Sequence, residues 1–114
     1  MYYNCRPCFH KVTSLTATDT AVEMTITNNT NISSLDDFDL VLCVNPNSIV
    51  TAAPLPFTLT INGTAGIPLN NKYNLPILSN RLCSRKRYYG SYVAETDTPY
   101  VILWNTPCDK AYAA

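Results

Sequence analysis

Asn62-Gly63 stands between two runs in which apolar and polar residues alternate. Phe57, Leu59 and Ile61 precede it, interleaved with Thr58 and Thr60; Ala65, Ile67 and Leu69 follow it. Alternation with a period of two is the mark of a half-buried strand. Asn-Gly between two such runs predicts a hairpin, because both central residues of a type I′ turn need positive φ. This stretch commits the chain to antiparallel β structure.

The rest of the chain follows the same rhythm. Strands are expected at 12–18, 20–27, 38–44 and 88–93, with a final one at 99–104 that is apolar on both faces. Residues 48–51 read as a short edge strand, and 77–82 as a segment that pairs briefly. Ser34 is a candidate cap for a short helical turn through Asp37. Gly90 reads as a bulge or a close approach of two backbones. Turn residues recur every 8–12 positions or so, the spacing of a β-sandwich or small barrel. We take the fold as all-β: a single β-sandwich, jelly-roll or Ig-like, of seven to nine short strands with an N-terminal arm. Residues 1–11 form the arm, 12–104 the sandwich and 105–114 a tail. Leu40, Leu42, Leu59, Ile61, Ile102 and Trp104 are the expected core.

The length, 114 residues, suits one domain. Charged residues make up only 14%, and eight acidic residues balance eight basic ones. That balance argues against a general nucleic-acid binder. No apolar run is long enough to span a bilayer. The first twenty residues lack the apolar core of a signal peptide, so the chain is expected either to use another route or to be already mature, and Met1 favours the former. Few charges, with polarity supplied by Thr and Asn, suit secreted, fibrous or virion proteins.

Five cysteines are many for this length, and an odd number leaves at least one free, paired between chains or bound to metal. Cys5-x-x-Cys8-x-His10 comes nearest to a metal motif, but the second knuckle of a zinc site is missing. We expect no metal and no cofactor. Cys43 reads as a core residue on a buried strand. Cys5, Cys8, Cys83 and Cys108 read as disulfide formers, some of them between chains. Tyr2, Tyr3 and Phe9 give the arm aromatic groups with which to dock, either on its own domain or on a neighbour.

Asp36, Asp37 and Asp39 form an acidic cluster without the glycine and distal Glu of a calcium loop. Arg81, Arg85, Lys86 and Arg87 form a basic patch beside Tyr88 and Tyr89. Aromatic interleaving is a device of single-strand binding, but four charges on a neutral chain fit better as partners for the acidic cluster of a neighbouring subunit. Tyr73, Tyr88, Tyr89, Tyr92 and Tyr100 are an alternative: a surface for a glycan or peptide if they share an exposed face. No phosphate loop, catalytic triad or Cys–His pair on a rigid element is legible, so no enzyme is expected. Of the sequons at Asn28, Asn31 and Asn62, the last is better explained by its turn.

With Cys5 and Cys8 in an arm, Cys108 in a tail and a β domain between, the layout resembles endospore-appendage subunits. That resemblance implies a non-enzymatic subunit of an extracellular or spore-surface fibre, joined to copies of itself through the arm. The arm departs from it in carrying Cys-x-x-Cys. The small Thr- and Asn-rich domain is also similar to phage capsid-decoration and tail proteins, which would make the partner a virion shell. Assembly in a reducing cytoplasm fits five cysteines poorly.

Overall fold

The computed structural model describes residues 9–34, 37–49, 51–95 and 97–106. Seven strands make up the fold: β1 (Phe9–Ala17), β2 (Val22–Ile26), β3 (Asp37–Leu42), β4 (Phe57–Ile61), β5 (Thr64–Asn70), β6 (Arg87–Val93) and β7 (Tyr100–Leu103). Among the described residues the one helical element is a 3₁₀ turn at Pro46–Ser48, which takes in the first residue of the segment expected as an edge strand.

The strands run round a closed barrel in the order β1-β2-β4-β5-β7-β6-β3, with β3 returning to β1. This corrects the expected jelly-roll or Ig-like sandwich. Both architectures need the same inward–outward alternation, so the pattern of one strand does not separate them. The difference lies in lateral pairing. Three parallel ladders join strands that are not neighbours in sequence: β1 with β3, β2 with β4, and β5 with β7. They link the antiparallel pairs β1–β2, β4–β5 and β3–β6–β7 into a ring. Every strand therefore has two partner strands, although the β5–β7 ladder takes in only Leu69 and Asn70 of β5 and the β1–β3 ladder only the first four residues of β1. Closure shortens the edges an open sheet would leave.

The β4–β5 hairpin forms as expected. Ile61 faces Thr64 across a two-residue turn, with φ of 53° at Asn62 and 82° at Gly63. The register then slips between Leu59 and Ile61, and Gly66 takes a φ of 75°. This bulge leaves Ala65 exposed, while Ile67 and Leu69 turn inward. The Asn62 side chain exchanges two hydrogen bonds with the backbone of Ile32, so the 28–34 loop is pinned to the hairpin tip. Ser34, the expected cap, accepts a hydrogen bond from the Ala94 amide instead. Residues 75–79 tuck beside the barrel, where Ile77 donates to Leu69 and accepts from Phe57.

The core takes alternate residues from β2, β4 and the inward faces of β3 and β6. Val22, Met24 and Ile26 are buried, as are Phe38, Leu40, Leu42, Phe57, Leu59 and Ile61. The last strand is where the expected alternation is reversed. Val101 and Leu103 join the core cluster. Ile102 is buried outside that cluster, and Trp104 is 46% exposed. A strand that is apolar on both faces offers no polar residue to mark the outer one. Gly90 marks a close approach, as its sequence position suggests. A Cβ there would lie 1.7 Å from the Ile102 carbonyl oxygen.

The burial pattern generates a three-way contrast in urea unfolding. Leu59→Ala should cost about 2–5 kcal/mol through the cavity it leaves. Gly90→Ala should be destabilising by at least the ~1–3 kcal/mol of an overpacked site, because the atoms it meets are backbone. Trp104→Ala should change stability by much less than Leu59→Ala. A Trp104 variant as damaging as Leu59→Ala would restore the opposite face assignment.

Candidate functional site

Three strands build the outer surface on which the chemically capable side chains meet. In the β3–β6 ladder Asp39 faces Tyr89 and Asp37 faces Ser91. In the β6–β7 ladder Gly90 faces Leu103 and Ser91 faces Ile102. One step further the Trp104 amide donates to the Tyr89 carbonyl, which sets Trp104 opposite Tyr89. Asp39, Tyr89 and Trp104 thus form one row across the sheet, with side chains on the face away from the core. Opposed residues of this kind have Cβ atoms only about 5 Å apart.

The row opens into a groove of about 540 Å³ lined by Asp37, Asp39, Arg87, Tyr89, Ser91 and Trp104, with Gly90 and Asn105 below. Tyr89 is 51% exposed and Trp104 46% exposed. Arg87 Nη2 donates to Asp39 Oδ2 at 2.8 Å, and the Asp39 side chain is almost wholly covered. Asn105 locks the strand ends together. Its Oδ1 accepts from the Tyr89 amide at 3.0 Å, and its Nδ2 donates to the Arg87 carbonyl at 2.9 Å. Both ends of the side-chain amide are therefore spent on backbone beneath the aromatic pair.

The sequence candidates fall in different places. Asp39 and Arg87, expected to meet across subunits, pair within the chain. Arg85 and Lys86 are exposed, and the Lys86 ammonium lies 5.4 Å from the Tyr88 ring centroid. Arg81 is partly buried. Cys43, expected in the core, is exposed just beyond the end of β3, because that strand stops at Leu42. Cys83 is exposed as well, and the two form no disulfide. They share one rim, since the Arg85 amide donates to the Leu42 carbonyl and the Cys43 amide to that of Val12. Cys5, Cys8, Cys108, Tyr2, Tyr3 and Asp36 lie outside the described residues. Phe9, assigned to the arm, begins β1 and pairs with Asp39.

His10, also assigned to the arm, is wholly buried. Its ring stacks on Phe38 with centroids 4.4 Å apart. Nδ1 donates to the Thr27 carbonyl at 2.9 Å, which leaves Nε2 as the unprotonated nitrogen, without a hydrogen-bond partner among the described residues. The ring belongs to the core packing. No group of three His, Cys, Asp or Glu side chains among the described residues comes together as a metal site.

The tyrosines divide. Tyr88 and Tyr92 are buried, Tyr100 is half-buried, and Tyr73 and Tyr89 are exposed. The Tyr88 hydroxyl accepts from the Cys83 amide, and burial pushes its phenol above the ordinary value. Sequence reasoning missed Trp104 as a surface residue and Asn105 as its anchor. No protein family, curated protein or solved structure matches the chain.

Burial holds His10 below its ordinary value of 6.5, against the opposing pulls of the Thr27 carbonyl and Asp39. The unfolded chain therefore takes up this proton at a higher pH than the folded one. The stability that the neutral ring contributes is complete above about 6.5 and is lost as pH falls through the folded-state value. His10→Phe should show a flatter loss of stability between roughly pH 7.5 and pH 5 than the parent chain, measured by urea unfolding at each pH. Equal slopes for the two would remove His10 as an acid-sensitive element.

Proposed function

We propose that the chain is a non-enzymatic structural subunit that self-assembles into an extracellular or spore-surface fibre, or alternatively takes its place in a virion shell. The observation that carries this reading is the rim where β3 ends and β6 begins. Cys43 and Cys83 both stand exposed there, unpaired with each other, next to exposed Arg85 and Lys86. An exposed thiol adds little to a core, and a bond to another chain is chemistry open to it. Barrel closure also bears on how such a subunit would associate. Strand addition needs a free edge. The ring offers only short stretches of edge, so association is expected to run through side chains, cysteines and the terminal segments that hold Tyr2, Tyr3, Cys5, Cys8 and Cys108.

The intrachain Arg87–Asp39 pair narrows the charged contact to Arg85 and Lys86 with Asp36 and Asp37 of a neighbour. It also dictates how the proposal is tested. Reversing Arg87 would strip a covered carboxylate of its cation, at a cost of about 1–3 kcal/mol to the fold itself. Arg85→Glu with Lys86→Glu leaves that pair alone. A truncation of the arm likewise has to stop at residue 8, because His10 is core.

Native protein is expected to run as reductant-sensitive multimers on non-reducing gels and to be larger than a monomer in light scattering. Deletion of residues 1–8, or Cys43→Ser with Cys83→Ser, should reduce the covalent species while the far-UV spectrum stays β. The Arg85–Lys86 reversal should mimic the effect of moderate salt, since exposed pairs are screened beyond ~10 Å at 0.1 M. A monomer without reductant, at every salt concentration, would overturn the assembly reading.

A second reading, a glycan- or peptide-binding module, is favoured by the Tyr89–Trp104 groove.

A further inference from the structure

We propose that the groove on the outer face of β3, β6 and β7 is a subsite for a neutral oligosaccharide, with Tyr89 and Trp104 as its stacking platform. The inference rests on the second reading above and commits it to one ligand chemistry. A pyranose ring presents an apolar C–H face and a rim of hydroxyl groups. Its recognition needs a flat aromatic surface together with donors and acceptors at the edge of that surface. The groove has both. Two large aromatic side chains, each about half exposed, stand opposite one another across β6 and β7. Beside them lie the exposed Asp37 carboxylate, the half-exposed Arg87 guanidinium and the Ser91 hydroxyl.

The electrostatics select against polyanionic ligands. Arg87 is already paired with Asp39, and Asp37 adds a further carboxylate, so the groove has no surplus of positive charge. A phosphate backbone needs such a surplus. An uncharged polyol does not, and charged groups make its strongest hydrogen bonds. The backbone beneath the platform is also tied down. Asn105 ties the backbone of Tyr89 and Arg87 to the end of β7, and Gly90 lets the two strands approach without a side chain between them. Little ordering remains to be done on binding, which favours affinity from a small contact area.

Trp104 is the single tryptophan of the chain, so its emission reports this groove alone. The full chain is titrated with a set of neutral hexasaccharides (linear glucans, xylan, mannan and N-acetylglucosamine oligomers), with a proline-rich peptide and with a single-stranded oligonucleotide. A saturable blue shift or quench with at least one hexasaccharide is expected. Tyr89→Ala should weaken that binding roughly tenfold or more, as anchor aromatics do, and Trp104→Ala should abolish binding measured by calorimetry. Tyr73→Ala, an exposed tyrosine outside the groove, should bind as the parent chain does. Far-UV spectra and unfolding midpoints confirm that each variant is folded. Saturable binding of the peptide but of no saccharide overturns the carbohydrate assignment and leaves a binding module standing. Silence with every probe, or saccharide binding untouched by Tyr89→Ala and Trp104→Ala, overturns the site itself.

Discussion

The parallel ladder between β1 and β3 closes the ring and sets the terms for the rest of the molecule. His10 to Val12 lie against Leu40 to Leu42, and without this seam β1 and β3 would each expose a row of unpaired backbone groups. Closure converts two edges into one more ladder. It also draws His10 indoors, because its partner across this ladder is Leu40 of the core. A buried imidazole, one nitrogen of which has no partner among the described residues, is the cost of beginning the barrel there.

The seam has a second consequence on the outer face. β3 is held in register with β6 on one side and with β1 on the other, so Asp39 is fixed opposite Tyr89. Arg87, two residues before Tyr89 on the same face, then reaches Asp39 at 2.8 Å. A charge pair that looks intersubunit in the sequence becomes an internal brace beside the groove. What remains exposed near the opposite end of β3 is another kind of chemistry, with two thiols and two cations on one rim. The fold separates an aromatic groove from a cysteine-bearing rim.

The Tyr89–Trp104 pair depends on the register of β6 with β7. Tyr89 and Trp104 are opposite only because Gly90 faces Leu103, and the backbones run so close there that a Cβ has no room. Asn105 then consumes its whole amide on neighbouring backbone. The result is a pair of aromatic side chains set outward on neighbouring strands by main-chain geometry.

By itself the sequence determined the β class, the Asn62-Gly63 turn and the inward faces of β2, β3 and β4. Each is local: a turn needing two positive φ values, or large apolar residues at every second position with mostly polar residues between them. Tertiary structure decided the remainder. Whether seven alternating strands stack as two sheets or close as a barrel depends on ladders between strands distant in the chain, and alternation is blind to them. The face of β7 was open because both of its faces are apolar, and the β5–β7 and β6–β7 registers chose Val101 and Leu103 for the core. Trp104 was thereby sent outward, and Cys43 fell beyond the end of its strand. The groove exists through that choice, since residues 37, 87 and 104 become neighbours only when three strands share one register.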